Sequence, residues 1–153
     1  MNPYAAALGD RNPVEVLRAS AAQLRNHLTR LGPRAGEPRA PGKWSPREIA
    51  CHLADCEIMW AFRLRQVLGE PHHVVQPFDQ DRWAGRYAAY TAEQALATFT
   101  ALRDWNLALI AALAPTDHAK QAWHPERGVI TAGELQATMA GHDRHHLAQL
   151  EAL

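Results

Sequence analysis

Three capping boxes constrain the fold of this chain more than any other feature. In a capping box, a Ser or Thr is followed three residues later by Glu or Gln, and the two side chains satisfy free backbone N–H groups at the start of a helix. The boxes begin at Ser45, Thr91 and Thr131. Asn12, followed by proline, marks a fourth helix start. These signals predict four helices.

Apolar residues at helical spacing follow each of these starts. The predicted helices cover residues 13–31, 46–69, 92–113 and 132–153, and glycine or proline marks most of their ends. Residues 79–87 are expected to form a short helix, and residues 115–130 an irregular connection. No segment alternates as a strand does, so the sequence predicts an all-α four-helix bundle. A length of 153 residues predicts one domain, 1–153.

Composition excludes several classes of protein. Lys+Arg and Asp+Glu both number 16, so the net charge is +0 and no basic face is available for nucleic acid or an anionic membrane. No apolar run reaches the length of a signal peptide or a membrane span, so a cytoplasmic location is expected. Cys51 and Cys56 point in different directions from one predicted helix, which argues against a disulfide between them.

The last predicted helix carries a histidine pair with metal-binding spacing. His142 and His146 are one turn apart, so both imidazoles can reach one ion. The helical wheel turns this pair toward the apolar side and His145 toward the polar side. Asp143 lies where a zinc protease of the HExxH type carries glutamate, but the rest of that signature is missing.

A third ligand has to come from another helix. His52 lies at the edge of the apolar stripe of the second predicted helix and is the natural candidate. The alternative is that these histidines are core residues hydrogen-bonded to carbonyl groups. The residues alone leave both interpretations open.

Two segments resemble the DinB/YfiT-like family. Residues 44–55, WSPREIACHLAD, are similar to its second-helix motif, and residues 141–150, GHDRHHLAQL, to its fourth-helix motif. Residues 77–83 and 124–128 resemble connecting segments of the branch that contains bacillithiol S-transferase-like proteins and provisionally named metal-dependent hydrolases. The resemblance spans nearly the whole chain.

The resemblance implies an up-down-down-up bundle in which His52, His142 and His146 bind a divalent metal ion, with zinc or nickel as the leading choices. Three imidazoles leave a coordination position open, which is typical of catalytic sites. The implied activity is activation of a small thiol such as bacillithiol for transfer to an electrophile. A hydrolase and a non-catalytic, stress-associated metal-binding bundle are the alternatives. The expected partners are small molecules, and the helical surface would allow a homodimer.

Several other residues lie near these motifs. Asp55 is interpreted as a surface carboxylate rather than a group that orients an imidazole. Cys56 is interpreted as a small buried apolar residue rather than a further, soft metal ligand. Gln149 either touches the site or packs between helices. His124 and Arg127 either line the mouth of a pocket or form an ordinary turn. The five tryptophans are expected mostly to anchor the core.

Overall fold

Four long helices and a small hairpin make up the computed structural model, which describes residues 2–153. In chain order the elements are α1 (Ala5–Leu8), α2 (Pro13–Leu31), α3 (Pro46–Gly69), α4 (Gln80–Ala84), α5 (Ala92–Ala111), strands β1 (Gln121–His124) and β2 (Gly128–Thr131), and α6 (Ala132–Glu151). Short 3₁₀ turns cover Gly32–Gly36, Tyr87–Ala89 and Pro115–Ala119. The predicted single domain begins at Met1, which lies outside the described residues.

The predicted capping interactions start all four long helices. The Asn12 side chain accepts hydrogen bonds from the backbone N–H groups of Val14 and Glu15 at the start of α2. Reciprocal capping boxes begin α3, α5 and α6, formed by Ser45 with Glu48, Thr91 with Gln94, and Thr131 with Glu134. The predicted helix starts are confirmed.

The four long helices form an up-down-down-up bundle. Helix α2 packs against α5 and α6, and α3 packs against the same two helices. Arg30 near the end of α2 donates to the Leu150 carbonyl near the end of α6, so these helices are parallel. Helices α3 and α5 are also parallel, because contacts join Glu57 to Arg103 and, further along both helices, Arg65 to Asn106. The apolar cluster that contains Leu28 and Leu150, from the ends of α2 and α6, also contains Leu53 from the first half of α3, so the two pairs run in opposite directions and His52 faces α6 across an antiparallel interface.

A polar layer separates two apolar clusters in the interior. One cluster contains Leu17, Leu64 and Met139, and the other contains Leu24 and Phe99, among further residues. The residues of this layer lie between the helix segments that supply the two clusters. They are Ser20 on α2, Arg103 on α5 and Asp143 on α6, and all three are buried. The site described below adjoins this layer.

Two expectations about the fold are wrong. Residues 121–131 form an antiparallel hairpin that pairs Gln121 with Thr131, where the sequence predicted an irregular connection. Each strand has only four residues, which is too short for a clear alternating pattern. Among the tryptophans only Trp60 is buried, whereas Trp105 is 67% exposed.

Within residues 2–153, none of the helices combines the length and the apolar character needed to cross a membrane.

Candidate metal centre

The structure brings together the three histidines that the sequence singled out. His52 projects from α3, and His142 and His146 project from α6. The ring centroids lie 5.0 Å apart for His52 and His142, 4.7 Å for His52 and His146, and 4.6 Å for His142 and His146. All three side chains are buried. Their role as metal ligands remains a prediction.

A cysteine joins this cluster. The Nε2 atoms of His52 and His142 lie 3.0 Å apart, and the Cys56 sulfur lies 3.5 Å from the former and 3.6 Å from the latter. The potential ligand atoms of these three residues all lie within 4.8 Å of one another, so the group could hold a metal ion. The interpretation of Cys56 as merely a small apolar residue is therefore incomplete. Its position one turn after His52 was the signal in the sequence.

Burial keeps His52, His146 and Cys56 uncharged. Burial, followed by the nearby His142, lowers the pKa of His52 to about 3 and that of His146 to about 2. Burial also raises the pKa of the Cys56 thiol well above its usual value. Neutral imidazoles have a free lone pair on one ring nitrogen, which is the form that binds metals.

Gln149 fixes which nitrogen of His146 is free. The His146 Nδ1–H group donates to the Gln149 side-chain oxygen at 3.1 Å, and the Gln149 amide group lies 3.1 Å from His145 Nε2. The Nε2 lone pair of His146 therefore remains available. The exposed His145 lies on the polar side of α6, as the helical wheel predicted. Gln149 orients His146 in the way that outer hydrogen-bond partners orient metal ligands.

The residues present fit a divalent metal ion. The cluster contains imidazole and thiol donors, which suit zinc and related transition metals. The buried Nδ1 atom of His142 has no hydrogen-bond partner among residues 2–153, and the nearest carboxylate oxygen, on Asp143, lies 3.8 Å away. A metal ion bound at Nε2 would make this Nδ1 atom an N–H donor, directed toward that carboxylate.

A buried ionic cluster supports the helix that carries His142 and His146. Arg103 on α5 forms two hydrogen bonds with Glu57 at 3.0 and 2.6 Å and one with Asp143 at 2.7 Å, and it also donates to Ser20. Burial acts to raise the pKa of Asp143, but Arg103 and His142 together outweigh burial and hold the pKa at about 2. Asn106 also donates to Glu57 at 2.8 Å.

The sequence patterns did not predict this ionic cluster. Its signal was Arg103 and Asn106 on the same helix stripe as the buried Phe99 and Ile110. The structure turns Asp143 toward Arg103, which supports rejection of the zinc-protease interpretation.

An open cavity of about 460 Å³ reaches the cluster. Its lining includes His52, Cys56 and His142, together with His124 and Arg127 from the hairpin. Of the two interpretations of His124 and Arg127, the structure therefore supports the one in which they line a pocket.

A second cavity, of about 710 Å³, reaches the cluster beside His146 and Trp44. Asp55 instead lines a separate small cavity of about 130 Å³ with Tyr90 and Gln94. The sequence interpretation of Asp55 as a carboxylate without a role in orienting an imidazole is consistent with this placement.

The fold and the cluster define a four-helix bundle with a candidate metal centre between α3 and α6. Residues 16–150 match the sequence model of the DinB superfamily, and the chain belongs to this family.

Relatives in the family are named for metal-dependent activity. A protein of Oceanobacillus iheyensis is 34% identical over 113 residues, which cover 73% of this chain and 66% of that protein, so the chain spans just under two thirds of its length. A Bacillus licheniformis protein is 28% identical over 95% of this chain and 81% of its own length. Both are provisionally named metal-dependent hydrolases.

The solved structure of YfiT from Bacillus subtilis has the same fold. It superposes with a TM-score of 0.84 at 22% identity, covering 92% of this chain and 82% of YfiT. Its description gives it an unusual four-helix bundle topology. The all-α four-helix bundle predicted from the sequence is confirmed, with the hairpin as an addition.

Proposed function

We propose that this protein is a metal-dependent enzyme that activates a small thiol for transfer to an electrophile. His52, His142 and His146 would hold a divalent ion, zinc or nickel. The observation that carries the proposal is the convergence of buried imidazole and thiol donor atoms at an open cavity of about 460 Å³. A small-molecule thiol and a small electrophile are the proposed partners.

Access to the cavity favours catalysis over a purely structural role. Structural zinc is normally closed by four protein ligands, whereas catalytic zinc keeps one position for water or substrate. A metal ion at this centre would lower the pKa of a coordinated thiol or water molecule. Cys56 is the residue that could close the centre, since its sulfur lies within 3.6 Å of both His52 and His142 Nε2 atoms.

The surrounding side chains favour thiol transfer. Hydrolysis of an amide needs a general acid or base near the reacting atoms. Asp143, the carboxylate nearest His142, is held by Arg103 and is fully buried, so it is poorly placed for that role. Transfer of an acidic thiol to a reactive electrophile needs less proton transfer, and the chain has to supply mainly a site that binds and orients the two molecules.

The hydrolase alternative is supported by the names of the relatives and by Glu126. This side chain lies on the wall of the same cavity as His52 and His142. An exposed carboxylate there is a candidate general base for an activated ester or amide. If the protein hydrolyses such substrates, turnover should disappear in His146→Ala and fall strongly in Glu126→Gln.

The first experiment is metal content by mass spectrometry on untagged protein. We expect about one ion per chain in the wild type, and loss of the ion in His52→Ala and in the double variant His142→Ala, His146→Ala. His145→Ala is the matched control, because this exposed histidine lies on the same helix and should leave occupancy unchanged. Full occupancy in His52→Ala would remove this residue from the ligand set.

The second experiment tests for an open coordination position. Thiols should change the visible spectrum of the cobalt-substituted protein, and Cys56→Ala should retain that response. A spectrum that no thiol changes would refute the transferase proposal. If Cys56→Ala then becomes responsive, Cys56 closes the centre and the non-catalytic alternative gains support.

A further inference from the structure

The cavity beside the candidate metal centre has more positive than negative side chains on its wall. Arg63 from α3 and Arg127 from the hairpin loop both line it. Glu126 is the only carboxylate among the described lining residues, and it is exposed to solvent. The wall therefore has two guanidinium groups against one carboxylate, and Arg63 is only 5% exposed.

Neither guanidinium group forms an ion pair within residues 2–153. Arg63 donates one hydrogen bond to the Gln76 carbonyl at 2.7 Å and lies 5.6 Å from the centroid of the Trp60 ring. Among the described residues, neither Arg63 nor Arg127 has a carboxylate oxygen within 4.0 Å. Burial and the nearby Arg127 lower the pKa of Arg63 to about 10. Two cations near each other in a partly buried cavity are unfavourable until an anion joins them.

His124 adds a neutral hydrogen-bond donor to the same wall. Its Nδ1 atom accepts a hydrogen bond from the Glu126 backbone N–H group at 3.2 Å, so the proton of the neutral ring is on Nε2. Burial and the adjacent Arg127 and Arg63 lower the pKa of His124, which keeps the ring neutral. Its Nε2–H group is therefore a fixed donor in a residue that lines the cavity.

We propose that Arg63, Arg127 and His124 form a subsite that binds a carboxylate group of the substrate next to the metal centre. Guanidinium groups bind carboxylates through paired, charge-assisted hydrogen bonds. The inference deepens the proposed function, because it assumes that the cavity is where substrate binds. The carboxylate can belong to the thiol or to the electrophile, and the experiment separates these sources.

The test compares thiols that differ in a carboxylate. Cobalt-loaded protein is titrated with 3-mercaptopropionate and with 2-mercaptoethanol, and binding is followed in the visible spectrum. The wild type should bind the carboxylate-bearing thiol roughly 10- to 100-fold more tightly, the range expected for a hydrogen-bonded charge. Arg127→Gln should lose most of this preference while binding 2-mercaptoethanol as before, and Arg127→Lys should keep part of it. Arg25→Gln, an exposed arginine on α2, is the control and should behave as the wild type.

A kinetic comparison of two electrophiles tests whether the carboxylate belongs to the electrophile instead of the thiol. With 2-mercaptoethanol as the thiol, whose sulfur forms the new C–S bond while chloride leaves, turnover of 1-chloro-2,4-dinitrobenzene is compared with that of 4-chloro-3-nitrobenzoate, which has a carboxylate, each relative to its uncatalysed rate. A preference for the benzoate, lost through a raised KM in Arg127→Gln, would place the group on the electrophile. If Arg127→Gln leaves both preferences unchanged, or if the wild type binds the thiols and turns over the electrophiles with neither preference, the subsite is refuted.

Calorimetry with propionate separates failure of the subsite from failure of the proposed function. Propionate binding by the cobalt-loaded wild type that is lost in Arg127→Gln supports the subsite, even if no thiol changes the cobalt spectrum. In that case the thiol-transfer proposal alone fails. Equal propionate binding by both proteins would show that Arg127 does not hold the anion.

Discussion

Replacement of Arg103 by methionine tests the role of the buried ionic cluster. Arg103 and Glu57 are each 1% exposed and Asp143 is 2% exposed. Methionine has an unbranched side chain that can occupy part of the same space in the interior, but it has no charge and no hydrogen-bond donor. Glu57 and Asp143 would then remain buried without their cation.

The expected loss of stability follows from this burial. Removal of one partner of a buried ion pair costs about 3–5 kcal/mol, because the remaining charge is left uncompensated. For a chain of this size, 1 kcal/mol corresponds to about 2–4 °C in Tm. The Arg103→Met variant should therefore melt roughly 6–20 °C below the wild type.

The assay is urea and thermal unfolding of metal-stripped protein followed by circular dichroism, so that metal binding does not contribute to stability. Arg65→Met is the matched control. Arg65 lies on the neighbouring α3, is only half-buried and donates to the Ala61 carbonyl and to Asn106. This variant should therefore lose clearly less stability than Arg103→Met. The combined variant Arg103→Met, Glu57→Gln, Asp143→Asn removes all three charges and should recover at least half of the loss. A loss below about 1 kcal/mol in Arg103→Met, or a combined variant less stable than Arg103→Met, would refute the reasoning.

Three further predictions concern the segments around the site. Gly141→Ala places a methyl group 2.5 Å from the Tyr4 carbonyl oxygen, so we expect faster amide exchange around Tyr4. Unchanged exchange would contradict this expectation if it came with a stability gain of about 1 kcal/mol, which is the helix preference of alanine over glycine. Gly128→Ala forces alanine into the left-handed conformation at φ 73°. We expect the free energy of unfolding in urea to fall by about 1–2 kcal/mol, and an unchanged value would show that the turn adapts. In metal-stripped protein, His52 and His146 should stay neutral between pH 5 and 8 by NMR. Each histidine takes up a proton at its ordinary pKa only when the protein unfolds. The free energy of unfolding should therefore fall by about 1 kcal/mol for each histidine between pH 6.5 and 5.5. Titration of either ring near pH 6.5 in the folded protein would contradict this prediction.

The sequence by itself determined where the helices begin and which face of α6 points inward. A capping box joins residues three apart, and the side of a helix on which His142 and His146 lie follows from 3.6 residues per turn. Both signals are local, so no knowledge of the remaining chain was needed. The apolar stripe of the second predicted helix made His52 the candidate for a third ligand, and the DinB-like motifs supported that choice. The structure places its ring against the other two.

Only the tertiary structure decided what surrounds those histidines. His52 and His142 are 90 residues apart in the chain, and their contact depends on which faces of α3 and α6 meet. The same packing brings Cys56 into the cluster and joins Arg103 to Glu57 and Asp143. A buried charge is tolerable only when partners from other helices satisfy it, so its role becomes visible when all the helices are assembled.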